Sequence, residues 1–296
     1  MEMHMISQFE KRLFSPIESA DDYFACVKAL YDEWSDCTGQ EWLYERTCEK
    51  LERSIPDLVT RQPPQFFTGD INAEMAMISL NPHINDNVEI DTIPFCGSWK
   101  EYRDFWTDFP RRRYGKNGGA ANPNIGLSKF DRRVQHFLSG SDREVTADDL
   151  AKWNMFHVEL FPIGSEDFKS VRAGAIDDYA CAYIICMLQA LALAKRKLIL
   201  VLNAQLRKFL RRAAQLKLLD GLEIVGKRSF SIGRKKVFRE DYDVRLMPGQ
   251  NLKIAAATTF AKKGYLSNAE LAEYSKAIFS PEEIKVIKSA VGSDLR

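Results

Sequence analysis

The residues whose types could do chemistry lie where apolar runs stop. Residues 75–80 (M-A-M-I-S-L) are followed at once by Asn81-Pro82-His83, and a second run, residues 153–163 (W-N-M-F-H-V-E-L-F-P-I), carries Glu159 just ahead of Pro162. Short apolar runs of this kind read as strands buried on both faces of a parallel sheet. Proline cannot donate to a ladder and drives the residue before it out of helical geometry, so each run must end there. Asn81 and Glu159 are thereby presented at the carboxyl ends of buried strands, where open α/β sheets hold their ligands. An amide in that position can hold a water or stabilise a developing cation through its oxygen, by positioning and electrostatics rather than as a base. A carboxylate accepts hydrogen bonds, and partial burial raises its pKa so that it can also donate. Each has a plainer alternative: Asn81 as a cap of the following loop, and Glu159 as the ion-pair partner of an arginine at a strand end.

The elements that must position these residues can be read in order. Helical periodicity covers residues 18–60, with Ser19 and Asp21-Asp22 as a cap and a second helix over 41–54 closed by Pro56. We read residues 1–65 as an N-terminal helical extension and 66–296 as the main domain, with an insertion over 83–152. The insertion holds an aromatic and basic helical segment, 99–114, in which Trp99, Tyr102, Phe105 and Trp106 fall at helical spacing. A Gly-, Asn- and Pro-rich loop follows over 115–126, then a helix over 127–138. After the second strand come an apolar helix (177–194), a third strand (197–203), a helix (205–219), a short basic hairpin of accessory strands (223–239) and a fourth central strand (252–260). Ser267 and Ser280 begin capping boxes of two closing helices. Strand–helix alternation with buried strands implies α/β architecture: a three-layer α/β/α fold with a central four-stranded parallel sheet.

Composition narrows the class. The 296 residues are 45% hydrophobic and 28% charged with a net charge of +1, as in an ordinary soluble globular protein. No apolar run reaches membrane-spanning length, and the first residues lack the apolar stretch of a signal peptide. Six cysteines show no C-x-x-C pair and no zinc spacing, which points to reduced thiols, a cytoplasmic location and no metal or other cofactor. No Gly-rich nucleotide fingerprint or P-loop is present.

The rim motifs resemble those of the uracil-DNA glycosylase superfamily. Residues 79–83 (S-L-N-P-H) resemble its first, water-positioning motif, which reads I-N-P-G in the mismatch-specific branch. The lead-in F-F-T-G-D-I-N-A-E and the trailing Asp86 look like uncharacterised members of that superfamily. Glu159 in V-E-L-F-P falls at the base-reading position, commonly Asn, and T-T-F-A-K-K-G-Y-L-S (258–267) falls where the family has H-P-S and a wedge loop. The resemblance spans about residues 66–277 and departs from the family pattern in two places: the fourth motif has no His, and the base-reading residue is Glu.

The resemblance implies a monofunctional DNA glycosylase, a hydrolase without metal or redox cofactor, in which Asn81 is catalytic and His83 touches sugar or phosphate. A target base must be flipped out of the duplex before its glycosidic bond breaks through an oxocarbenium-like transition state. A carboxylate at position 159 accepts from the exocyclic amine of cytosine and repels the O4 of uracil or thymine; adenine offers a similar edge in a larger ring. Removal of ordinary cytosine would destroy the cell's own genome, so the expected substrate is a modified cytosine in foreign DNA, such as some bacteriophages carry. Phe161 and Phe95 are candidates to stack on the base, although either could be core. Arg111, Arg112 and Arg113, together with Lys262 and Lys263, are candidates to grip DNA, alongside the basic faces of 207–217 and 227–239. Tyr265 or Leu266 could fill the gap left by the flipped nucleotide, or Leu266 could staple the next helix. Two other readings remain at this level: a DNA-binding module without catalysis, and a nucleoside or nucleotide hydrolase. A monomer is expected.

Overall fold

Four apolar runs form four mutually parallel strands. The computed structural model describes residues 15–36, 63–80, 98–114, 129–140, 143–165, 174, 176, 178–203, 205–219, 221–247, 250–257 and 266–292. Within them the parallel strands are β2 (Met75–Ser79), β3 (Phe156–Glu159), β4 (Leu198–Val201) and β7 (Gln250–Ala257), side by side in the order β3-β2-β4-β7. The α/β class and the parallel core thus agree with the sequence reading.

The sheet is larger than expected. Seven strands are hydrogen-bonded in the order β1-β3-β2-β4-β7-β6-β5. The three-residue β1 (Phe67–Gly69) adds antiparallel to β3, and it carries too little pattern to be legible in sequence. The expected short hairpin is instead a pair of long strands, β5 (Gly221–Ile232) and β6 (Lys235–Met247), and β6 pairs along the whole of β7. Inward-facing Val237, Tyr242, Val244 and Leu246 are buried, which makes this pairing favourable over its full length. The hairpin turns through Gly233, whose φ of 56° suits a two-residue loop.

Alternation along the parallel strands serves two cores. Ala76, Ile78, Phe156, Val158, Ile199, Val201, Ile254 and Ala256 face one way. They are covered by α1 (Ala20–Asp36), α2 (Trp99–Thr107), α6 (Asp178–Leu193) and α7 (Leu206–Gln215). Met75, Met77, Leu198, Leu200, Ala255 and Ala257 face the other, beneath α4 (Lys129–Ser139), α8 (Asn268–Ile278) and α9 (Pro281–Val291). Three layers result. The aromatic segment is two helices, α2 and α3 (Phe109–Tyr114), with Tyr102 and Trp106 buried. A further short helix, α5 (Ala147–Ala151), is held by a capping box of Thr146 and Asp149. Ser267 and Ser280 form the expected capping boxes of α8 and α9. The helix read over 41–54 and the loop over 115–126 lie outside the described residues.

Candidate functional site

Taken in chain order, the parallel strands occupy positions 2-1-3-4. The connection from β2 to β3 includes α4 on one face, while α6 and α7 cover the other. Such an order reverses direction at its first strand and opens a crevice at the carboxyl ends there. That rim is built from Ser79 at the end of β2, Glu159 at the end of β3 and Asn203 just past β4. Ser79 and Glu159 are register partners, and the paired backbone continues beyond them through Leu160 N–H to Ser79 C=O (3.0 Å) and Phe161 N–H to Leu80 C=O (2.8 Å). Asn203 is a structural cap: its Oδ1 accepts from the Gln205 and Leu206 N–H groups, both at 3.1 Å, and so starts α7.

A strand period of two puts His157 and Glu159 on the same face, toward α4. His157 Nε2 lies 2.8 Å from Ser79 Oγ and 3.4 Å from Glu159 Oε1. Glu159 is only 4% exposed, and its Oε2 is buried with no hydrogen-bond partner among the described residues. On the opposite side of the strand, Tyr183 Oη donates to the Glu159 carbonyl at 3.1 Å and fixes the backbone.

The spacing of Glu159 and His157 resembles an ion pair, but burial opposes charge on both. Burial, reinforced by the negative charge of Asp131 on α4, raises the Glu159 pKa well above the ordinary carboxylate value. Burial lowers His157 to about 4, with Asp131 opposing the shift. Both shifts favour the uncharged forms, a carboxylic acid beside a neutral imidazole. The pair is not a nucleophile–base–acid relay, because the hydroxyl and the carboxyl both meet the same ring nitrogen. What it offers is an acid that can donate through O–H and accept through C=O, held at the rim of the sheet.

The sequence-derived candidates fare differently. Asn81, His83, Phe95, Lys262, Lys263 and Tyr265 lie outside the described residues. Glu159 sits at the end of β3 as expected, and among the described residues its ionisable neighbour is His157 rather than an arginine. Phe161 is a core residue in this packing: it is 1% exposed and its ring meets Phe209 edge-on, with centroids 5.1 Å apart, leaving no face for a base. Arg111 is exposed on α3 but forked onto Asp108, with Nε 2.6 Å from Oδ1, which offsets its charge. Arg112 and Arg113 follow it in α3. Leu266 is buried in the second core and its carbonyl accepts from Arg133 at 2.9 Å, as a staple rather than a wedge.

Sequence reasoning singled out neither Ser79 nor His157 as a site residue. The period of two was a signal that His157 accompanies Glu159; the register that adds Ser79 is not visible in one sequence. Among the described residues, no group of three or more His, Cys, Asp or Glu side chains is arranged to hold a metal, and no helix is long and apolar enough to cross a membrane. No family model, no curated protein and no solved structure matches this chain.

Proposed function

We propose that the chain is a DNA glycosylase of uracil-DNA glycosylase-like architecture that flips out and hydrolytically excises a modified cytosine. The observation that carries this reading is the buried Glu159 carboxyl group at the carboxyl ends of the parallel strands, with one oxygen unpartnered among the described residues and a burial that favours its protonated form. A neutral carboxylic acid is complementary to the edge of cytosine: its O–H donates to N3 and its C=O accepts from the exocyclic amine. Proton donation to N3 neutralises charge as the base departs, which makes it a better leaving group. Asn81 directly follows the β2 rim in sequence, and its amide would hold the attacking water or stabilise the sugar cation. The demand for an extra group on the base rests on the damage that excision of ordinary cytosine would cause.

The test is an abasic-site assay on DNA that is unmodified, uracil-containing, or carries hydroxymethylated or glucosylated cytosine. Alkali-sensitive breaks are expected on modified-cytosine DNA alone, and lost in Asn81→Ala. Glu159→Gln keeps a donor and an acceptor but cannot release a proton, so it should retain binding while excision falls by about 10²- to 10⁴-fold. Breaks only at uracil would remove the role given to Glu159. Binding without breaks would favour a catalytically silent DNA-binding module, and cleavage of free deoxynucleosides alone a nucleoside hydrolase.

A further inference from the structure

Two of the basic clusters noted in the sequence meet at a cavity on the other face of the sheet. The cavity has a volume of about 280 Å³ and lies between α7 and the strands β4, β7, β6 and β5. Its floor and sides are apolar, and its polar wall is formed by Arg207, Lys227, Glu240, Tyr242 and Asn203, with the Phe238 ring beside them. It sits beside Asn203 and Ala256, at the carboxyl ends of β4 and β7. It thus shares the rim with Glu159 but faces the opposite layer of helices.

The charges in this cavity are unevenly matched. Glu240, itself 4% exposed, accepts from Lys227 Nζ at 2.9 Å and from the Tyr242 hydroxyl. Lys227 also lies over the Phe238 ring, 4.9 Å from its centre. Arg207 is barely engaged: its Nη1 is 3.6 Å from Glu240, beyond hydrogen-bonding distance, and its Nε is buried with no partner among the described residues. One carboxylate thus faces two cations, and the positive charge of Arg211 also acts on Tyr242 at this wall. A guanidinium with unused donors next to an ammonium is an arrangement that suits a phosphate.

We infer that this cavity is a phosphate-binding site, taking the phosphate group of a nucleotide between Arg207 and Lys227 with Phe238 against the attached sugar or base. Glu240 acts as the internal competitor that holds the cations in place when the site is empty of phosphate. The site does not depend on base excision at Glu159. The phosphate can belong to a free nucleotide or to a DNA backbone, and both sources present the same oxygens.

Binding of deoxycytidine 5′-monophosphate, with deoxycytidine as the uncharged control, can be measured by calorimetry on the full chain. A short fluorescent single-stranded oligodeoxynucleotide can be followed by anisotropy over a range of salt. The nucleotide should bind and the nucleoside should not. Arg207→Gln and Lys227→Gln should each weaken binding about tenfold, as for loss of one hydrogen bond to a charged group. Glu240→Gln should tighten it, an opposite sign that a purely structural role would not produce. If only the oligonucleotide binds, Arg207→Gln should reduce its salt slope by about one, which assigns the site to a backbone phosphate. Unchanged affinity for both ligands in Arg207→Gln and Lys227→Gln, with each variant melting like the wild type, would overturn the proposal. Should Arg207→Gln fail to fold, the half-exposed Lys227 decides alone. Binding is read without excision, so a chain that cleaves nothing still answers the question.

Discussion

At the scale of single residues, the Glu159–His157 pair makes stability depend on pH in a way that can be counted in protons. Folded, Glu159 keeps its proton far above its ordinary value of 4.5, and His157 stays neutral down to about 4 instead of 6.5. Between 4.5 and 6.5 the folded pair holds one proton on Glu159, and the unfolded chain holds one on His157. This pair then contributes no slope. Above 6.5 the unfolded chain holds none, so wherever the fold still holds the Glu159 proton stability falls as pH rises, by about 1.4 kcal/mol per unit, until Glu159 ionises in the fold. Glu159→Gln removes the carboxyl group and leaves His157 alone. The alkaline slope should vanish, and stability should instead fall as pH drops from 6.5 toward 4, because only the unfolded chain then takes up the histidine proton. Thermal melts of both proteins across this range check it. Parallel pH profiles would show that Glu159 titrates in the fold as it does in the unfolded chain.

At the scale of elements, the chain is legible where burial leaves a one-dimensional trace. The four parallel strands are covered on both faces, so residues 75–79 and 198–201 are nearly unbroken apolar runs that sequence alone exposes. The capping boxes at Ser267 and Ser280 are equally local. What depends on register is not legible. Ser79 joins His157 only because β2 and β3 pair as they do, and the basic positions of the hairpin hide its length. Strand β1 shows the same limit, since its placement turns on one glycine. Gly69 has φ of 81°, and a Cβ there would lie 2.0 Å from the Met155 carbonyl oxygen. Gly69→Ala must both strain the backbone and push away the chain entering β3, so it should cost more than the roughly 1–2 kcal/mol of left-handed strain alone. Gly233 is the control: its φ is also positive, at 56°, but nothing lies within 4 Å of an added Cβ. Gly233→Ala should therefore cost only the strain. Chemical denaturation of the two variants separates them, and equal losses would mean that β1 yields freely.

For the whole molecule, helix α1 of the N-terminal extension is a structural part of the layer that supports the site. Helix α1 buries Tyr23, Cys26, Val27, Leu30 and Tyr31 in the same core as the sheet. Tyr23 meets Phe67 and Phe156 edge-on, with centroids at 6.4 and 5.9 Å, and Tyr31 packs on Tyr102 at 4.7 Å. Cys26 Sγ lies 3.0 Å from Cys186 Sγ on α6, and the Ile17 N–H donates to Gln189 on the same helix at 3.2 Å. Phe156 opens β3, the strand that carries His157 and Glu159, so α1 backs the site from the opposite face. A fully buried aliphatic or aromatic side chain contributes about 1.5–3 kcal/mol, which for five sets an upper range of about 7.5–15 kcal/mol. That is comparable to the roughly 5–15 kcal/mol by which a whole domain is stable. A chain starting at residue 37 should therefore fail to hold its native fold, with loss of near-ultraviolet circular dichroism and of dispersed amide resonances. The same truncation would uncover Phe67, Phe156 and Tyr102 together, and such a patch promotes association. A truncated chain that stays monomeric with native spectra would make α1 a detachable cap, and the support of β3 would then have to come from α2 and α6 alone.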